Sequence, residues 1–160
     1  MKVRISTNIM SELELTDKPS LPQMARVQVE LARPRIKNGD HTLPKLLLLK
    51  KMTMTTVEFS TMPDDPIAGA IEIINETKPE AYCFSSEVWK APPPPGVSLA
   101  DVERGMAAHS PKRKEGLLIV GAVNGAEGHN AEAFEIDRVK KRLTPIHLPR
   151  DFHSKLPLRW

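Results

Sequence analysis

Cysteine is almost absent from this sequence. Cys83 is the single one, so neither an internal disulfide nor a Cys-rich zinc site can form. That points to a reducing setting, and the cytoplasm is the expected compartment. Long apolar runs are missing too. The longest candidate, Leu46-Leu47-Leu48-Leu49, ends in Lys50-Lys51, far short of the ~18 residues a membrane span needs, so no membrane association is expected. The opening Met1-Lys2-Val3-Arg4 has no apolar core or small-residue cleavage site of a secretory signal. The five histidines include no pair at the i, i+4 spacing of a helical zinc site. No serine sits in a nucleophile elbow, and Gly121-Ala122-Val123-Asn124-Gly125 fits neither a phosphate loop nor a dinucleotide loop. No internal repeat is visible. These absences remove the common catalytic and cofactor classes, and neither a metal nor a cofactor is expected.

What remains is a chain of 160 residues, 40% hydrophobic, with a formal net charge of +3. That length suits one domain, and the composition argues against disorder. Residues 2–6 alternate weakly and suggest a short edge strand within an otherwise irregular lead-in. Met24, Val27 and Leu31 give residues 23–33 a helical stripe that Pro34 should end. Val27 and Val29 alternate with Gln28 and Glu30, so a strand competes there. Residues 45–60 pass from the leucine run into Thr53, Thr55, Thr56, Val57 and Phe59. That β-branched content favours strand, as a hairpin broken near Lys50-Lys51 or as one bent strand. The clearest helix begins at Pro66, capped by Asp64 or Asp65, with Ile67, Ala70, Ile71 and Ile74 as its apolar stripe and Pro79 as its stop.

Residues 81–89 read as a central strand, and Pro92–Pro95 as a polyproline crossover. A short helix is expected near Leu99, Val102 and Met106. Residues 115–123 and 131–139 look like an antiparallel pair with a roomy hairpin between them. From Arg138 onward the chain turns basic. Residues 138–160 hold seven Lys or Arg against Asp151 alone, formally +6. Pro145, Pro149 and Pro157 keep this stretch extended. The expected organisation is a domain over residues 1–142 and an extended basic arm over 143–160.

Two carboxylates are the weak candidates for chemistry. Glu87 and Glu115 lie at the ends of predicted central strands, and only the proline-rich crossover separates them. Close carboxylates split their pKa values and can hold a metal or share a proton. The competing reading pairs Glu87 with Arg113 or Lys114 at a strand end, with Trp89 covering the sheet edge. The Glu-x-Lys spacing of many nuclease sites is missing, since Lys90 and Lys114 fall out of step with the period of two. His129 stands between Glu127 and Glu132 in a loop where solvation outweighs metal binding. Cys83 sits mid-strand, where a thiol is usually inert.

Three segments, Ser86-Glu87-Val88-Trp89, Arg113-Lys114-Glu115-Gly116-Leu117-Leu118-Ile119-Val120 and Ile136-Asp137-Arg138, together resemble an uncharacterised family of small bacterial and phage proteins. About half of the chain is involved. The resemblance implies a strand order and brings no agreed activity, so no functional residue carries over. The proline crossover and the basic arm depart from that family's compact form.

The reading at this point is an α+β domain: a mainly antiparallel sheet of four or five strands, with one or two helices packed on one face. The expected function is a non-enzymatic interaction protein, in phage-related accessory or assembly work. It would bind a protein partner or itself through Arg138, Lys140, Lys141, Arg142, Arg150 and Trp160. One alternative is a metal-assisted hydrolase or nuclease centred on Glu87 and Glu115. Another is nucleic-acid binding by the basic tail.

Overall fold

The structure is a computed structural model that describes residues 9–59, 65–90, 96, 112–149, 152 and 154–160. In chain order the elements are β1 (Ile9–Glu14), α1 (Leu21–Lys37), β2 (Lys45–Lys50), β3 (Thr53–Glu58), α2 (Pro66–Thr77), β4 (Ala81–Lys90), β5 (Lys114–Val123), β6 (Asn130–Asp137) and β7 (Arg142–Ile146). The strands form one sheet in the order β1-β3-β2-β4-β5-β6-β7, antiparallel at every pairing. The residue 2–6 strand, the polyproline crossover and the helix near Leu99 lie outside the described residues.

The α+β class and the antiparallel sheet agree with the sequence, but among the described residues the sheet has seven strands rather than four or five. Two of the additional strands are its edges. β1 lies in the supposed lead-in, and β7 contains Pro145, which an edge strand tolerates because its missing donor can face solvent. The hairpin at Lys51-Met52 separates β2 from β3, and both turn residues take positive φ, 49° and 61°. Such left-handed pairs fit two-residue hairpins but favour Asn and Gly, so this turn carries no sequence signal.

The helices lie on opposite faces, not on one. Alternate residues of β2 point to opposite sides of the sheet. Leu47 and Leu49 pack with Met24, Val29, Ala32 and Ile36 of α1. Leu46 and Leu48 pack with Ala70, Ile73 and Ile74 of α2. The leucine run is therefore the signature of a strand covered on both sides. Gly121 of β5 lets α1 approach closely: a Cβ there would lie 2.9 Å from the Tyr82 carbonyl oxygen and 3.3 Å from Leu21.

α1 starts earlier and ends later than its stripe suggested. Ser20 accepts from Gln23 N–H at 3.3 Å while Gln23 Oε1 accepts from Ser20 N–H at 2.8 Å. This reciprocal cap sets the first turn. Pro34 lies inside the helix; its own carbonyl still accepts from Asn38 N–H at 3.0 Å. Val27 and Leu31 are 40% and 38% exposed, whereas Gln28 is buried. Gln28 Nε2 donates to the carbonyls of Cys83 (2.9 Å) and Lys45 (3.2 Å), and its Oε1 accepts from Ser85. This one amide ties α1 to β2 and β4. Replacing it with Ala, which strips Ser85 of a buried acceptor, should cost about 1–3 kcal/mol in urea unfolding.

α2 follows its sequence signals more closely. Asp65 caps it by accepting from Ala68 N–H at 3.1 Å, Pro66 opens it, and Lys78 closes it in the left-handed conformation. The chain end then returns across the α2 face. Leu156 is buried there, and Phe152 and Trp160 pack against the same cluster.

Candidate functional site

Period two places Glu87 of β4 and Glu115 of β5 on the α1 face of the sheet, alongside Cys83 and Leu117. In the β4–β5 register Glu87 stands opposite Leu117 and Trp89 opposite Glu115, so the two glutamates are diagonal neighbours. Arg138, the first residue after β6, reaches between them. Its Nε donates to Glu115, its Nη2 donates to both oxygens of Glu87 at 3.1 and 3.2 Å, and its Nη1 donates to the Asp40 carbonyl at 2.9 Å. A planar guanidinium suits such a bridge because its donors leave in fixed directions.

The α1–β2 connection closes the cluster. Thr42 gives Glu87 its backbone N–H at 2.7 Å and its hydroxyl at 3.2 Å. His41 sets Nδ1 2.8 Å from Glu87 and 2.9 Å from Arg138 Nη2. One ring nitrogen cannot serve both: protonated, it donates to the carboxylate, and bare, it accepts from the guanidinium. Arg35, in the last turn of α1, holds the His41 carbonyl with two donors at 3.1 and 3.2 Å. Burial works to raise the pKa of Glu87, but Thr42, His41 and Arg138 outweigh it and hold the carboxyl below its ordinary value. Burial likewise opposes the charge on Arg138, and the two glutamates overcome it and raise its pKa.

One ligand atom each from His41, Glu87 and Glu115 falls within a 4.8 Å spread, a donor set suited to a divalent ion. Arg138 already stands among these donors as their cation, so a metal would have to displace it. The Thr42 hydroxyl is engaged by the same carboxylate. As it stands the cluster is an ion-pair latch joining β4, β5, the β6–β7 turn and the α1–β2 connection. Neither Arg113 nor Lys114 takes the part of Arg138. Lys114 pairs with Glu135 at 3.6 Å, and the Arg113 guanidinium lies over the Trp89 ring, 4.8 Å from its centroid.

The other residues singled out in the sequence separate into three groups. Lys140, Lys141 and Arg142 are exposed at the β6–β7 turn. Arg150 lies outside the described residues. Trp160 packs on its own domain: its ring meets Tyr82 at 5.2 Å between centroids, and its Nε1 donates to the Pro79 carbonyl at 2.7 Å. Tyr82 in turn donates its hydroxyl to the Pro157 carbonyl at 2.8 Å. The end of the chain is thus part of the folded body.

Tertiary structure also assembles a basic groove of which the sequence had marked only the Lys141 and Arg142 side. Arg33, Ile36 and Lys37 of α1 face Lys141, Arg142 and Leu143 across a cavity of about 150 Å³. Lys37, Lys141 and Arg142 pair with no carboxylate among the described residues, while Arg33 holds Glu30 at 3.2 Å. Lys37, with Arg35, lies in the last turn of α1 and offsets the partial negative charge there. Of the acids at this end of the sheet, Glu87 and Glu115 are committed to Arg138 and Glu135 to Lys114, while Asp137 stands opposite Arg142 in the β6–β7 register and accepts from the Lys140 N–H at 2.9 Å. The only local hint is the Lys140-Lys141-Arg142 run.

Compared with family models, curated proteins and solved structures, the chain matches none of them. Among the described residues no helix is long and apolar enough to cross a membrane.

Proposed function

We propose that this protein is a non-catalytic binding module that takes the phosphate backbone of a nucleic acid at the basic end of its sheet. The observation that carries this reading is the groove in which Arg33 and Lys37 meet Lys141 and Arg142 with no acidic residue in its lining. Clustered cations release counterions from a phosphate chain, a sequence-independent source of affinity. Trp89, 46% exposed and covered on one face by Arg113, lies at the same end of the sheet, beside Glu115 in the register. It offers a surface on which a base can stack.

The docked chain end supports placing the binding surface here rather than along an extended arm. Catalysis has less support, since Arg138 supplies the charge that a metal ion would bring to Glu87 and Glu115. Fluorescence anisotropy with labelled single-stranded and duplex oligonucleotides tests the proposal. Binding should weaken steeply as salt rises. The double variant Lys141→Glu, Arg142→Glu should flatten the log–log salt dependence by about one for each phosphate that is no longer neutralised. No binding at low salt, or binding indifferent to salt, would exclude it.

A further inference from the structure

Trp89 and the basic groove share one face of the sheet, the face that α1 covers. Period two places Trp89 on the side of Glu87 and Cys83, and Leu143, which lines the groove, belongs to the same cluster as Cys83 and Ile36. The register fixes how far apart they lie. Glu87, Leu117, Phe134 and Pro145 stand in one row across β4, β5, β6 and β7. The next row on that face runs Trp89, Glu115, Ile136, Leu143. Three strand spacings of about 4.8 Å set the Trp89 backbone roughly 14 Å from that of Leu143.

The ends of this row differ from its middle. At one end Arg33, Lys37, Lys141 and Arg142 gather positive charge around the groove. At the other, Trp89 is 46% exposed, with the Arg113 guanidinium over its ring. Between them Glu87 and Glu115 share Arg138, and with His41 neutral these three side chains keep one net negative charge. A duplex fits this layout poorly. It carries a phosphate for every ~1.7 Å of its axis, so laid along the row it would run phosphates over the negative middle. Its bases are also stacked on one another and offer no ring face to Trp89. An unpaired strand can turn a base onto the indole while its backbone lies in the groove. At ~3.4 Å of rise per stacked nucleotide the gap amounts to about four nucleotides.

We propose that the ligand is a single strand held at two points, one unpaired base stacked on Trp89 and phosphates a few nucleotides along the chain in the groove. This rests on the backbone-binding reading above and adds to it a contact that needs a base and a preference for unpaired chains. Single-stranded DNA and RNA both carry the two features.

Anisotropy titrations with DNA and RNA strands of about ten nucleotides, inside the ~4–16 that single-strand grooves cover, test it against a duplex of the same sequence and an abasic strand of the same length. The parent chain should bind the base-bearing strands more tightly than either control. Trp89→Leu should weaken that binding by about 5- to 150-fold, the range for one lost stack, with the salt dependence kept. It should leave binding of the abasic strand unchanged, and Trp89→Phe should retain most of the affinity. Far-UV circular dichroism should be the same for the parent and both variants. A duplex bound as tightly as the single strands, or an equal loss for base-bearing and abasic strands in Trp89→Leu, would overturn the single-strand proposal and leave backbone binding standing. Absence of salt-dependent binding to every one of these ligands would remove both.

Discussion

Arg138→Ala should lower the unfolding free energy by about 3–5 kcal/mol, the usual cost of leaving a buried charge without its partner. The Glu87 side chain is only 11% exposed, and Arg138 is its one guanidinium partner among the described residues. Without it, Glu87 keeps Thr42 and His41, while Glu115 loses its donor. The pH dependence identifies the cause. In the parent chain Glu87 titrates below its ordinary value, so its contribution is complete above the unfolded pKa and is lost as pH falls through the folded one. In the variant, burial acts with less opposition and favours the neutral acid. Acidification should therefore narrow the stability gap between the two proteins.

The same substitution tests the donor set. With the guanidinium removed, His41, Glu87 and Glu115 are left with ligand atoms inside 4.8 Å of one another, and millimolar Mn²⁺ or Zn²⁺ should raise the melting temperature of the variant while leaving the parent unchanged. Equal stability of Arg138→Ala and the parent in urea titrations across pH would show that the latch contributes nothing to folding.

Removing residues 154–160 should be about as damaging, roughly 4 kcal/mol or more. Leu156 is 6% exposed, and Trp160 covers Tyr82, which is itself inaccessible. Truncating a single large apolar side chain in such a setting costs about 2–5 kcal/mol. The hydrogen bonds from Tyr82 to Pro157 and from Trp160 to Pro79 disappear with it. Since domains are stable by only about 5–15 kcal/mol, the shortened chain should melt many degrees lower. Tyr82 provides a local readout. Burial, with a smaller contribution from Cys83, pushes its hydroxyl pKa far above the ordinary value. Uncovering the ring should bring its ultraviolet titration back toward the usual range near 10. An unchanged melting temperature and an unshifted Tyr82 titration would mean that the end of the chain does not stabilise the fold.

Both results depend on how residues distant in sequence meet, which marks the limit of reading this chain locally. The α2 helix was legible because Asp65, Pro66 and the isoleucines act on the backbone within a few positions. The β5–β6 pairing followed from alternation, and the nearness of Glu87 and Glu115 followed from placing two strand ends together. Other features carry no such local mark. Gln28 lies in a buried helical face only because carbonyls of β2 and β4 receive its amide. β1 and β7 are short strands with little preference of their own, and each depends on a neighbour to pair with.

Period and capping are short-range effects, and they made the α+β class, the leucine strand, the capped second helix and the carboxylate pair readable from the residues alone. Tertiary structure alone decided that Arg138 is the counter-ion of that pair, that Arg33 and Lys37 meet Lys141 and Arg142, and that Trp160 closes over Tyr82. Charge and burial act through space, and no local pattern records which distant side chain will arrive.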